Sequence, residues 1–203
     1  ILSIDGIRME IDQKLAVQMR LDVARSLAQS ALQDPETEAI LWDEVPSWRS
    51  QLGKAWQGND FVGEFDHGTK IQVNPADHIE SQAFLHEMQE GDRGLIRYLC
   101  RYWEKNSNIT FLDVGANVGL YSLMAAKRLT NGSIFSFEPV PSLYARLRGN
   151  VELNCFDNIK TFNIALADRQ ETSRIWVPKH SNKGMSSLFR EDAESDFFPC
   201  EVM

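Results

Sequence analysis

The chain has 203 residues, of which 43% are hydrophobic and 25% charged, the balance of a globular domain with a core of its own. A formal net charge of −8 sets it against nucleic-acid backbones and anionic membranes, and no apolar run reaches membrane-spanning length. No basic-then-apolar leader opens the sequence, and the three cysteines (Cys100, Cys155, Cys200) are far apart and free of C-x-x-C pairing; reduced thiols, a cytoplasmic location and no zinc site are the expectation.

Two regions are expected, a helical N-terminal extension over 1–60 and an α/β domain over 61–203. In the first, Ile11, Leu15, Met19, Val23, Leu27 and Ala31 recur every four residues and predict a helix over 9–33, ended by Asp34-Pro35. Shorter helices follow over 37–42 and 47–56, with Gln57-Gly58-Asn59-Asp60 as a linker. Phe61 to Phe65 and Lys70 to Val73 then predict a β-hairpin turning at Asp66-His67-Gly68. Helices are expected over 79–88 and 94–103, the second with Leu95, Ile96, Leu99 and Trp103 inward.

An apolar run from Thr110 breaks at Gly115 and Gly119 and resumes at helical spacing, the pattern of a buried parallel strand turning into a helix over 118–129 that stops at Asn131-Gly132. A second strand covers 133–138. Pro141 opens the next helix, with Leu143, Leu147, Val151 and Leu153 inward, and a third strand covers 159–164. Strand, helix, strand, helix, strand predicts a parallel sheet. A further strand, antiparallel, is expected over 172–177, followed by a loop over 182–188.

Open α/β sheets bind ligands at the carboxyl ends of their strands, where Asp113 and Glu138 both fall. Gly115 and Gly119 allow backbone to approach a ligand, and an acid at the tip of the next strand takes ribose hydroxyls. The spacing G-x-x-x-G lacks the third glycine of a dinucleotide fingerprint, and no phosphate-binding G-x-x-x-x-G-K-[ST] loop is present. A ligand with a ribose and no phosphate fits better, and S-adenosylmethionine is one. The duller alternatives are helix capping for Asp113 and Asn117, and a solvated strand end for Glu138.

The run DVGANVGLYS, then FEPVPSLYARLRGNVELN, then NIALAD resembles the FkbM family of S-adenosylmethionine-dependent methyltransferases. The resemblance extends from Phe61 to Phe189 and is most specific from Phe111 to Asp168. It implies a Rossmann-like class I methyltransferase fold preceded by a hairpin and helix. It implies S-adenosylmethionine at Asp113, Gly115, Ala116, Asn117, Gly119, Glu138, Ala165 and Leu166. It also implies methyl transfer to oxygen of a sugar or natural-product hydroxyl, on a small-molecule or glycan acceptor. Family members continue with a D-V-E-G strand that this sequence lacks, so the sheet is expected to be incomplete at the C-terminus. No general base is assigned: His67, His78, His86 and His180 each read as surface or satisfied residues, and Lys179, Lys183 and Arg190 as a solvated basic cluster. An NAD-type oxidoreductase on the same crevice, and a non-catalytic adenosine-binding remnant, are the alternatives.

Overall fold

The computed structural model describes residues 60–66, 68–74, 77, 79–80, 93–168, 170–178, 186, 188 and 195–203. The helices expected between 9 and 56, most of the helix over 79–88, all four histidines and the basic cluster lie outside the described residues.

Strands β1 (Phe61–Phe65) and β2 (Thr69–Val73) form the expected antiparallel hairpin, Phe61 opposite Val73 and Phe65 opposite Thr69. The three-residue turn has left-handed backbone at Asp66 (φ 43°) and Gly68 (φ 97°), which closes such a loop without splaying the strands. Phe65, Ile71 and Val73 face the core. The hairpin is fastened by Asp66, whose carboxylate accepts a two-pronged bond from the Arg128 guanidinium at 2.5 and 2.7 Å. Pairs of this fork geometry hold direction as well as charge.

Helix α1 (Arg93–Lys105) buries Ile96 and Trp103, and the Trp103 ring meets Phe111 edge-on. Leu95, expected inward, is instead 52% exposed: one residue is 100° of helical turn, and that step carries it off the Ile96–Leu99–Trp103 stripe.

The centre is a parallel sheet in the order β3 (Thr110–Val114), β4 (Ser133–Phe137), β5 (Ile159–Phe162). Register runs Phe111 to Ile134 to Ile159 and Asp113 to Ser136 to Thr161. Helices α2 (Leu120–Arg128) and α3 (Pro141–Asn154) make the connections. This is the parallel α/β arrangement that the alternating pattern predicts, Rossmann-like as the resemblance implies. Pro141 lies in the first turn of α3, as read from the sequence. Along α3, Leu143 and Leu147 are buried as expected; Val151 and Leu153 are half-buried, and the inward position between the turns is taken by Asn150. Asn158 donates to the carbonyls of Ala126 and Leu129, satisfying the end of α2.

The expected third strand over 159–164 is broken at Asn163: β5 ends at Phe162, and β6 (Ile164–Ala165) joins another sheet, ordered β6-β8-β7. There β7 (Glu171–Pro178) pairs antiparallel with β8 (Ser195–Val202). Strand β8 was not expected from the sequence, and it holds Pro199, a residue that fits poorly in a strand with neighbours on both sides. The pairing accommodates it: β6 reaches only Glu201 and Val202, so among the described residues the strand has β7 alone beside Pro199. Among the described residues no helix is long and apolar enough to cross a membrane.

Candidate functional site

The loop leaving β3 bends at once toward β4. The N–H groups of Gly115 and Ala116 both donate to the Phe137 carbonyl at 2.9 Å, and Gly119 N–H donates to Ala116 O at 2.8 Å. Gly115 (φ 77°), Asn117 (φ 53°) and Gly119 (φ 93°) are all left-handed. A Cβ built at Gly115 meets no atom within 4 Å, so the loop faces open space there, whereas one at Gly119 would lie 2.5 Å from Leu147 Cδ1. The two glycines thus serve different ends, an open front and a tight back. Helix α2 starts at Leu120, two residues later than the expected 118, because Val118 and Gly119 belong to this loop.

Glu138 follows β4 directly. Its Oε2 accepts the Asn117 N–H at 2.8 Å and its Oε1 the Val140 N–H at 2.9 Å. The carboxylate therefore lies on the same side of the sheet as the Asp113–Gly119 bend, and at 4% exposure it is no solvated strand end. Burial pushes its carboxyl up from the ordinary range; the Val140 and Asn117 N–H groups pull it back, and the negative charge of Asp113 raises it. Asn163 fixes the backbone behind it, donating from Nδ2 to the Glu138 and Pro139 carbonyls at 2.8 and 3.1 Å.

Asp113 is turned beneath α2. The Ser122 hydroxyl donates to its Oδ2 at 2.5 Å and stands 2.7 Å from Ser136 Oγ, a chain of three buried polar side chains between sheet and helix. Burial raises the Asp113 carboxyl, against the lowering pull of the Ser122 hydroxyl and N–H. The cap residue of α2 is Gly119, so neither Asp113 nor Asn117 occupies that position, while Asp113 meets the first turn of the helix through the Ser122 hydroxyl and N–H. Ala165 is buried and Leu166 half-buried. Ala165 is tied into the outer sheet, its carbonyl accepting Met203 N–H at 3.0 Å.

The structure thus gathers Asp113, Gly115, Ala116, Asn117, Gly119 and Glu138 at the adjoining ends of β3 and β4, and sets Ala165 and Leu166 just past the end of β5. Ser122, Ser136, Asn150 and Asn163 were missed by the sequence reading. Their signal was a small polar residue at a position where the period calls for an apolar one. A separate cavity of about 370 Å³ opens between the hairpin and α3. It is lined by Asp60, Asp77 and Glu80 around Arg146, and none of the eight expected residues lines it. There Arg146 bonds to Glu80 and Asp60, and burial pushes the Glu80 carboxyl up.

Three curated proteins show what the chain is similar to. It is 26% identical over 128 residues to the AMB antimetabolite synthetase AmbE of Pseudomonas aeruginosa, covering 62% of this chain and 6% of that protein. It is 26% identical over 81 residues to Methyltransferase 1 of Beauveria bassiana (40% and 32% covered). With Methyltransferase sdnD of Sordaria araneosa it shares 34% over 67 residues (32% and 26% covered). The chain spans no more than about a third of the length of any of these three relatives. Residues 64–196, well over half of the chain, match the sequence family described as the Vibrio cholerae RfbT protein, and the chain belongs to that family.

Proposed function

We propose that this chain binds S-adenosylmethionine and serves methyl transfer of the FkbM type, to an oxygen of a sugar or natural-product hydroxyl. The observation that carries the reading is the position of Glu138, held by two backbone N–H groups against the Gly115–Gly119 loop. A carboxylate has about four lone-pair positions; two are used by Asn117 and Val140, and two remain for the paired hydroxyls of a ribose. The open space before Gly115 admits the amino-acid portion of the ligand, with Ala116, Asn117 and Gly119 shaping the rest of the loop and Asp113 beneath it. Ala165 and Leu166 border the adenine. Two of the three relatives above are named methyltransferases, which supports the same reading.

The ligand supplies a methyl carbon activated by a sulfonium. The protein's part is to fix its orientation, a contribution that reaches about 7–11 kcal/mol in well-aligned systems. Calorimetry with S-adenosylhomocysteine on the full chain tests the binding step. The expected result is saturable binding by the wild type, weakened at least about tenfold in Glu138→Ala, since bonds to a charged acceptor are each worth about 1.5–3 kcal/mol. A wild type that does not bind, or a Glu138→Ala protein that binds equally well, would overturn the reading.

A further inference from the structure

The peptide group joining Val118 to Gly119 is held at both ends. Its N–H donates to Ala116 O at 2.8 Å, and its carbonyl accepts Asn150 Nδ2 at 2.9 Å. Val118 precedes the helix cap, and the first helical bond of α2 runs from Leu123 N–H to Gly119 O, one residue later. The Val118 carbonyl therefore takes its partner from α3, in a residue only 1% exposed, where a carbonyl without one is costly.

Asn150 is fully buried, and its Oδ1 accepts the Gln72 N–H of strand β2 at 2.8 Å. A backbone N–H on one side and a carbonyl on the other admit only one orientation of the amide. The hairpin thus aims the group that holds the loop. One turn along α3, Asn154 clasps the same strand, accepting Lys70 N–H and donating to Lys70 O, both at 2.7 Å. Among the described residues its bonds reach the hairpin and α3 itself, and none reaches the loop.

Resting on the cofactor reading above, we infer that Asn150 is a positioning residue which couples the β1–β2 hairpin to the Gly115–Gly119 loop, its own bond to the Val118 carbonyl, aimed by the Gln72 N–H, setting the loop's affinity for the adenosyl ligand. Asn154 supplies the matched control, with comparable bonds to the hairpin and no hold on the loop.

The test compares Asn150→Leu with Asn154→Leu, and Asn150→Ser with Asn154→Ser should a leucine protein fail to fold. The readouts are S-adenosylhomocysteine affinity per folded molecule, and amide hydrogen exchange at Gly119 without ligand. Both substitutions should lower the unfolding temperature. The Asn150 proteins should lose about tenfold or more in affinity, one buried hydrogen bond being worth roughly that factor. They should also exchange Gly119 faster, while the Asn154 proteins keep their affinity within about twofold, because the Asn154 bonds end at the hairpin and α3. Unchanged Gly119 exchange in the Asn150 proteins would overturn the inference whatever the ligand does. So would equal loss of affinity in both pairs. Failure of the wild type to bind S-adenosylhomocysteine would instead sink the cofactor reading, leaving Gly119 exchange to decide the coupling.

Discussion

The central sheet presents two faces built from the same three strands, and their chemistry runs against their exposure. Under α2 and α3 lie Phe111, Asp113, Ile134, Ser136, Ile159 and Thr161, with Asp113 and Ser136 buried among them. The other face carries Leu112, Val114, Phe135, Phe137 and Phe162 together with Thr110, Ser133 and Lys160, and Leu112 and Val114 are 56% and 59% exposed. Its rings stack, Phe137 on Phe162 at 5.1 Å and Phe135 on Phe162 at 6.3 Å, with Lys160 over Phe135. Parallel strands are ordinarily apolar on both sides because both are covered. Here Asp113 and Ser136 sit on the covered side, where each must have a partner, and the Asp113–Ser122–Ser136 chain supplies it. Polar residues kept in a buried face against the cost of desolvation mark the side of the sheet that supports the site.

The largest effect is expected at Ile134, fully buried at the centre of the covered face. Ile134→Ala should cost about 2–5 kcal/mol, by lost transfer energy and the cavity left behind, read from denaturant unfolding. A cost under about 1 kcal/mol would mean that the helices do not close over the sheet as described.

The next effect concerns charge on the covered face. The Asp113 carboxyl is raised above its ordinary value of 3.8 by burial. The folded state therefore holds that proton more tightly than the unfolded chain. The favourable contribution is complete below pH 3.8 and is lost as pH rises through the higher, folded value. Glu138 and Glu80 are shifted in the same direction, so stability should fall with rising pH across the acid range. Asp113→Asn removes one of these contributions, and its curve of unfolding free energy against pH should be flatter than that of the wild type. Parallel curves for the two proteins would show that ionised Asp113 bears no desolvation cost.

What the sequence disclosed of this arrangement follows from where punctuation falls. The turn at Asp66–Gly68, the break at Gly115 and Gly119 and the start at Pro141 are backbone requirements that only a few residue types meet. The hairpin, the first two parallel strands and the helices between them were accordingly legible to within a residue or two. Asp113, Asn117 and Glu138 were legible as neighbours because strand–loop–helix geometry places strand ends side by side. Two things were hidden. Strand β8 was one, since it holds Pro199, which among the described residues has a strand on one side only, and that is visible only in the pairing. The supporting polar residues were obscured because Ser122, Ser136 and Asn150 break a period without announcing a partner. Their partners lie on other elements, 9, 14 and 32 residues away along the chain.

The smallest effect is expected on the face that no described helix covers. Leu112 points away from the helices, and trimming an exposed side chain usually changes stability by no more than about 0.5 kcal/mol. Leu112→Thr keeps a strand-favouring residue and removes apolar surface from a patch that also holds Val114 and the stacked phenylalanines. Unfolding free energy should stay within that margin, and S-adenosylhomocysteine affinity should be unchanged, because the Asp113 side chain next to it lies on the opposite face. A loss approaching that of Ile134→Ala would mean that Leu112 is covered in solution. The two faces would then be equivalent in packing and different only in polarity, and the buried Asp113–Ser122–Ser136 chain alone would distinguish the side that supports the site.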